Sequence, residues 1–263
     1  MKTSPGTIHK AISLLRCFSS ETPQIGVREL AARVKMPRST VQRLLAALEE
    51  EGLVEQDPDT QNYLLGSELV VLAGLALAKS NVRRVALPYM MELASRWNES
   101  VDLDVLRGDH IIIIEQIPGR HILNTGGTFA MRMPAYCTST GKVLLAYSGR
   151  EYIEANIPEK LRTITQNTIT TRSQLIAELE KVRQQGWARS WGENEDFVHA
   201  VAVPIWDRSG KVIAAMSISG LDARIDEATA AEIAQSLKDT CSHISARLGY
   251  VAPVDQLQDV EDV

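Results

Sequence analysis

Apolar residues recur at three- and four-residue spacing in two adjoining stretches near the start of the chain. Leu30, Ala31 and Val34 mark the first, and Val41, Leu44, Leu45 and Leu48 the second. That period predicts two helices, each with one buried side. The first spans Val27–Val34, with Gly26 as N-cap and Glu29 at the third helical position, where a carboxylate helps the unbonded amides. Lys35 and Met36 make the turn. Pro37 suits the first turn of the second helix, where its missing N–H has no partner to lose. The second helix runs to Glu51 and stops at Gly52. Leu53–Gln56 and Asn62–Leu65 then read as two short strands around the turn residues Asp57-Pro58-Asp59. Helix, helix and hairpin in this order describe a winged helix–turn–helix.

Ser67–Lys79 is apolar nearly all round, so a helix there needs cover on more than one side. The same helix of a second subunit is the simplest cover; burial within its own chain is the alternative. Val82–Asn98 continues as a helix with a kink expected at Pro88. A β-rich stretch follows. Ser100–Arg107 alternates with Val101, Leu103 and Val105 on one face, and Gly108-Asp109 turns the chain into a strand at His110–Ile117. Leu123–Met131 reads as a strand broken at Gly126-Gly127. Helices are expected at Thr138–Ala146, Glu151–Asn156 and Ser173–Gln185, strands at Ala200–Trp206 and Lys211–Gly220, and a closing amphipathic helix at Asp226–Leu248. The fold class is α+β: a winged helix–turn–helix with a small β wing, then an α+β domain built on an antiparallel sheet. The divisions are 5–66 for the winged module, 67–80 for a linker and dimerisation helix, 81–250 for the second domain, and 251–263 for a fraying acidic tail.

The apolar side of the second helix pushes Arg38, Ser39, Gln42 and Arg43 to the other side. Arg can pair two hydrogen bonds with guanine, Gln with adenine, and short hydroxyls suit phosphates. Glu49-Glu50-Glu51 would repel phosphates, so the N-terminal half is the part expected to enter a DNA groove. Lys35, Arg38, Ser39, Thr40, Gln42 and Arg43 are the candidate DNA-contacting residues. Charge changes the picture in the same direction. Residues 1–48 hold eight Lys/Arg and two acids, a net +6 in a chain of net −5, which leaves −11 for the remainder. Only the first part is suited to a polyanion. The 263 residues suffice for two domains with their own cores. No signal peptide is expected, and the longest apolar run, Leu69–Ala78, is too short to span a bilayer. Cys17, Cys137 and Cys241 are far apart and odd in number, which argues against a disulfide framework and excludes a CxxC knuckle. The expected compartment is the cytoplasm.

The order of motifs resembles the IclR family of bacterial transcription regulators over roughly residues 5–250. The resemblance is carried by PRSTVQRLLAALEEEGLV, QNYLLG, MPAYCTSTGKVLLA, LEKVRQQGWA, ENEDFVHAVAVPIWDRSGKVIAAMSISG and the closing ISARLGY. It implies a GAF-like second domain that binds a small effector, and assembly as a homodimer or dimer of dimers on double-stranded operator DNA. It also implies an effector pocket formed by Thr138, Ser139 and Thr140, by Ser190 and Ala200, and by Ser217 and Ser219, with Ile122, Thr125 and Met133 as the apolar wall. Ser139 and Thr140 would open a helix whose unbonded amides suit a carboxylate or carbonyl oxygen. Ser217 and Ser219 share one face of a strand. These positions hold no Arg or Lys, so the expected effector is a monocarboxylate, semialdehyde, lactone or aromatic acid rather than a multiply charged ion. Two features depart from the family pattern. Phe197 stands where glycine is frequent and is expected to narrow or cover the pocket, and Ala200 stands where a cysteine or another small residue is frequent. The wing carries Gln56, Gln61 and Asn62 where bases are frequent, so its phosphate contacts should be weak.

Other signals carry less. TSTGK lacks the glycine and the hydroxyl that a phosphate loop requires, since Tyr136 and Val143 stand there. Cys137 has no base specified beside it and reads as a small buried residue. His9, His110, His121, His199 and His243 lack metal spacing, although a structural zinc using His121, Cys137 or His199 is conceivable. The four tryptophans read as core, with Trp191 a possible pocket wall. No cofactor, membrane partner or enzymatic activity is expected. The reading is a repressor of a catabolic operon. The alternative, a metabolite-binding or enzymatic domain whose N-terminal module serves protein contact, is opposed by the charge asymmetry.

Overall fold

A computed structural model of the chain describes residues 6–19, 22–78, 81–121, 125 and 131–251, with the backbone alone at 76–78. Ile122, most of the strand expected at Leu123–Met131, and the tail expected to fray lie outside the described residues. The chain forms two compact units, residues 1–79 and 80–263.

The first unit opens with a helix that the apolar pattern did not reveal, α1 (Thr7–Leu15). Then follow α2 (Val27–Val34), α3 (Arg38–Glu50), β1 (Val54–Gln56), β2 (Tyr63–Leu65) and α4 (Glu68–Ala78). Gly26 is the extended N-cap of α2, and Lys35 ends that helix in the left-handed conformation. Pro37 sits at the N-cap of α3, one position earlier than expected. The buried sides meet in one core of Leu14, Ile25, Leu30, Val41, Leu45, Leu48, Val54 and Tyr63. The wing strands pair antiparallel, Val54 with Leu65 and Gln56 with Tyr63. The Asp57 carboxylate holds the turn by accepting from the amides of Asp59 and Thr60. By contrast, α4 leaves Val70, Val71, Leu72 and Leu75 between 49% and 74% exposed.

The second unit begins with α5 (Asn81–Trp97), which contains Pro88. Its sheet has β3 (Ser100–Arg107), β4 (His110–Ile117), β5 (Arg132–Pro134), β6 (Ala188–Trp191), β7 (Val198–Trp206) and β8 (Val212–Leu221) in the spatial order β5-β4-β3-β8-β7-β6, antiparallel throughout. One face carries α6 (Ser139–Ala146), behind which α8 (Arg172–Gln185) packs, with α7 (Arg150–Asn156) nearby; α5 and α9 (Glu227–Arg247) cover β3, β4, β7 and β8 as well as each other. Among the described residues no helix is long and apolar enough to cross a membrane.

What positions the site is the start of α6. A short 3₁₀ turn, Ala135–Cys137, leads into Thr138, whose hydroxyl accepts from the Gly141 amide and caps the helix. Gly141 lies so close to the preceding turn that a Cβ there would fall 2.2 Å from the Ala135 carbonyl oxygen. All eight residues of α6 are buried. Gly141→Ala should therefore lift α6 off the turn and destabilise the second unit by roughly 3 kcal/mol, the upper end of the usual overpacking cost. A melting temperature equal to wild type would show that the turn can give way.

Candidate functional site

Two surfaces concentrate the chemistry. On α3, burial of Val41, Leu44, Leu45 and Leu48 leaves Arg38, Ser39, Gln42 and Arg43 exposed together, with Thr40 half-buried and Lys35 exposed at the turn before them. The opposite outcome befalls Arg33. It pairs with Glu29 at 2.6 Å and donates to the Cys17 carbonyl, so its charge braces α1 and α2. The wing tip is held by its own side chains, with the Gln56 amide donating to the Gln61 carbonyl.

The second surface is a cavity in the second unit with about 700 Å³ of empty space, part of it open to solvent. Sheet register explains its wall. Ser190 is paired with Ala200, and Ala200 with Ser219; one rung away Ala202 is paired with Ser217, and Ser217 with Asp102. Paired residues share a face, so one side of the sheet carries Ser190, Ala200, Ser219, Ser217 and Asp102 towards the start of α6. Of the residues expected at an effector pocket, Thr125, Met133, Thr138, Ser139, Thr140, Ser190, Ala200, Ser217 and Ser219 all line this cavity. Ile122 lies outside the described residues. Several of these hydroxyls are already engaged: Ser190 donates to the Cys137 carbonyl, and Thr125 lies 2.8 Å from the Ser219 hydroxyl. Ser139 and Ser217 have no side-chain partner among the described residues.

Sequence reasoning missed the two most consequential residues of the cavity, Asp102 and Asp104. The alternation in Ser100–Arg107 directed attention to Val101, Leu103 and Val105 as the inward face. In fact both faces of β3 are covered, and the aspartates are 8% and 2% exposed. Asp102 accepts from the Gln116 amide at 2.6 Å. Asp104 accepts from the Thr140 hydroxyl at 2.5 Å, while its Oδ1 is buried without a partner. Burial pushes the Asp102 carboxyl up to about 6, against the hydrogen bonds from Gln116 and Ser219 that lower it. The same desolvation, reinforced by the charge of Asp102, raises Asp104 well above the carboxylate range. The helix start expected to be open to a ligand carboxylate thus already faces a carboxyl of the chain itself. A signal was available, since two aspartates among apolar residues in a central strand must be satisfied or functional.

Two further expectations change. Phe197 does not narrow the cavity. Its side chain is 70% exposed, and its backbone is left-handed at φ 64°, the conformation that favours the glycine expected there. Trp191 lines a different cavity, stacked on His199 with ring centroids 4.2 Å apart and donating to Glu227. The lysine of TSTGK is not presented to any phosphate, because Lys142 is 1% exposed and ion-paired with Glu193 at 2.6 Å. Burial pushes the Cys137 thiol up to about 12, which leaves no thiolate nucleophile near neutrality. Among the described residues, no three His, Cys, Asp or Glu side chains gather as a metal site.

With this geometry in place, known proteins resolve the pattern. The family model described as IclR helix-turn-helix domain matches residues 7–58, and that described as Bacterial transcriptional regulator IclR C-terminal matches residues 74–246. The HTH-type transcriptional regulator KdgR of Escherichia coli is 33% identical over 94% of each chain. Among solved structures, an ICLR transcriptional regulator from Silicibacter sp. TM1040 superimposes with a TM-score of 0.84 at 28% identity, covering 95% of this chain and 99% of that one. An IclR homolog from Microbacterium hydrocarbonoxydans, complexed with 4-hydroxybenzoate, gives 0.80 at 25% identity, covering 92% and 99%.

The aspartate pair makes a pH prediction. Its carboxyls titrate higher folded than unfolded, so their stabilising contribution is complete below the ordinary value of 3.8 and is lost as pH rises through about 6 for Asp102, and higher for Asp104. Relative to wild type, Asp102→Asn/Asp104→Asn should gain melting temperature progressively as the pH rises from the ordinary value of 3.8 through about 6 and beyond. A pH-independent difference would mean that the pair is not desolvated as the structure has it.

Proposed function

The chain belongs to the IclR family of bacterial transcriptional regulators, a family of DNA-binding proteins rather than enzymes, and on that premise we propose that it is a cytoplasmic repressor of a catabolic operon. The observation that carries the DNA-reading part is the outer face of α3. Arg38, Ser39, Gln42 and Arg43 project together from a rigid helix, on a segment of net +6 within an acidic chain. Arg43 and Gln42 have the donor geometry to read base edges, and Lys35, Arg38, Ser39 and Thr40 are suited to phosphates.

The effector side of the proposal rests on the cavity at the start of α6. A small organic metabolite bound there changes operator affinity by favouring one arrangement of the chain over another, a coupling of typically ~1–3 kcal/mol. The 4-hydroxybenzoate complex of the Microbacterium relative supports small-molecule binding in a protein of this fold. Absence of Lys and Arg from the described lining disfavours a polyanion.

Assembly follows from α4. Four large apolar side chains, Val70, Val71, Leu72 and Leu75, are exposed on an eleven-residue helix that is hydrophobic nearly all round. An uncovered apolar face of this kind is relieved by a second copy, and a two-fold dimer presents two reading helices to two half-sites.

Two outcomes test the proposal. Arg43→Ala should cost about 1–3 kcal/mol at one operator position, whereas Lys35→Ala should weaken all sequences evenly and lower the salt slope by about one. Wild-type operator affinity in Arg43→Ala, measured by mobility shift on the promoter of its own gene, would remove α3 from the groove. Leu72→Glu/Leu75→Glu should leave monomers that no longer hold the operator, because a buried unpaired carboxylate is costly. A variant still dimeric by light scattering would place the interface elsewhere.

A further inference from the structure

We propose that the effector presents a protonated amine to Asp102 and Asp104, so that the cavity selects a small aliphatic amine over an acid. The proposal rests on the cavity being the effector site, and it narrows what that site accepts.

The first ground is charge. The ionisable side chains among the lining residues are Asp102, Asp104 and Glu195, all acids. Residues 122–131, ILNTGGTFAM, contain no charged side chain and so contribute no base. Groups facing the pair from neighbouring elements are Gln116 of β4, Thr140 of α6, and Ser217 and Ser219 of β8, none of them positive. Arg83 of α5 is engaged with Glu115, the neighbour of Gln116 on β4, at 2.7 Å.

The second ground is an unmet acceptor. Asp104 is 2% exposed and lines the cavity; Thr140 satisfies one of its oxygens, and the other has no partner. A buried oxygen of this kind calls for a hydrogen-bond donor. An ammonium supplies up to three donors and the missing positive charge together, whereas a ligand carboxylate would be set against a carboxyl already present.

The third ground is the rest of the wall. Among the described residues, Met131, Met133, Val198 and Ala200 are its apolar side chains, and no aromatic ring lines it. The remainder of the ligand is therefore short and aliphatic, with a hydroxyl or carbonyl within reach of Ser139 and Ser217.

Protonation gives the proposal a sign. Burial holds Asp102 at about 6 and Asp104 higher, so an arriving ammonium displaces proton from the pair. Amine affinity should fall as the pH is lowered through about 6.

The test is a thermal-shift and calorimetric screen of the full chain with matched compounds of about three to six carbons: amino alcohols such as 5-aminopentan-1-ol, the corresponding diols, and the corresponding hydroxy acids. Only the amines should raise the melting temperature, and by less at roughly pH 5.5 than at roughly pH 7.5. Asp104→Asn, which keeps an acceptor for Thr140, should weaken the amine at least about tenfold, as should Ser217→Ala/Ser219→Ala. Failure of every amine to stabilise the wild type overturns the proposal, as does an amine that Asp104→Asn binds equally well. A diol or hydroxy acid that stabilises, and loses its effect in the double serine variant, leaves the cavity as the effector site and sinks the amine. An amine unaffected by either variant binds elsewhere, and the reading of the cavity fails with the proposal.

Discussion

Lys142 has left water almost entirely, and the architecture around the cavity follows from where its charge went. The ammonium lies 2.6 Å from Glu193 and 4.0 Å from Glu178, which joins α6 to the segment after β6 and to α8 in one contact. Two threonines extend the joint: the Thr165 hydroxyl donates to the Gly192 carbonyl and the Thr168 hydroxyl to that of Glu193. A buried pair of this kind adds little net stability, because desolvation cancels most of the attraction. Removing one partner is nevertheless strongly destabilising. Its value here is positional. It holds the first turn of α6 over the sheet at the height where Thr140 meets Asp104, with Ser139, Ser217 and Ser219 lining the same cavity.

That placement also explains why the cavity is polar without being basic. The start of a helix favours an acceptor-rich group, and Asp104 places a carboxyl there through its bond from Thr140. The site at the helix start is thus occupied from within the chain, by a pair of aspartates whose protons are held unusually tightly. On α2 and α3 the chain does the reverse. Arg33 is tied down by Glu29, but Arg38 and Arg43 have no ion pair within the described residues, so their charge remains directed outward. The Asp102 and Asp104 carboxyls are withheld from solvent in one unit, and the Arg38 and Arg43 guanidinium groups are offered to it in the other.

Much of this was legible along the chain. The three- and four-residue apolar period located α2 and α3 almost to the residue, and Gly52 and Gly108 marked ends because each takes up left-handed backbone. The hydroxyls of the cavity were legible through motif resemblance. Local pattern failed in three places. The helix α1 buries only Leu14 while Ile8 and Ile12 are exposed, so its apolar residues do not mark its inward side. The strand β6 has four residues, too few for alternation to register. In β3 both faces are covered, and the aspartates at alternate positions look like a solvent face until the layer above them is known.

The sequence by itself determined most of the elements, their order, the charge asymmetry and the outward face of α3, because each depends on spacing within one segment or on composition. Tertiary structure alone decided that both sides of β3 are covered, that Lys142 is buried, that Trp191 belongs to another cavity and that Phe197 points to solvent. Those outcomes depend on what lies across a sheet or above a helix. Burial, and with it the charge state of a carboxyl, is set by neighbours far away in the chain rather than by the residue's own period.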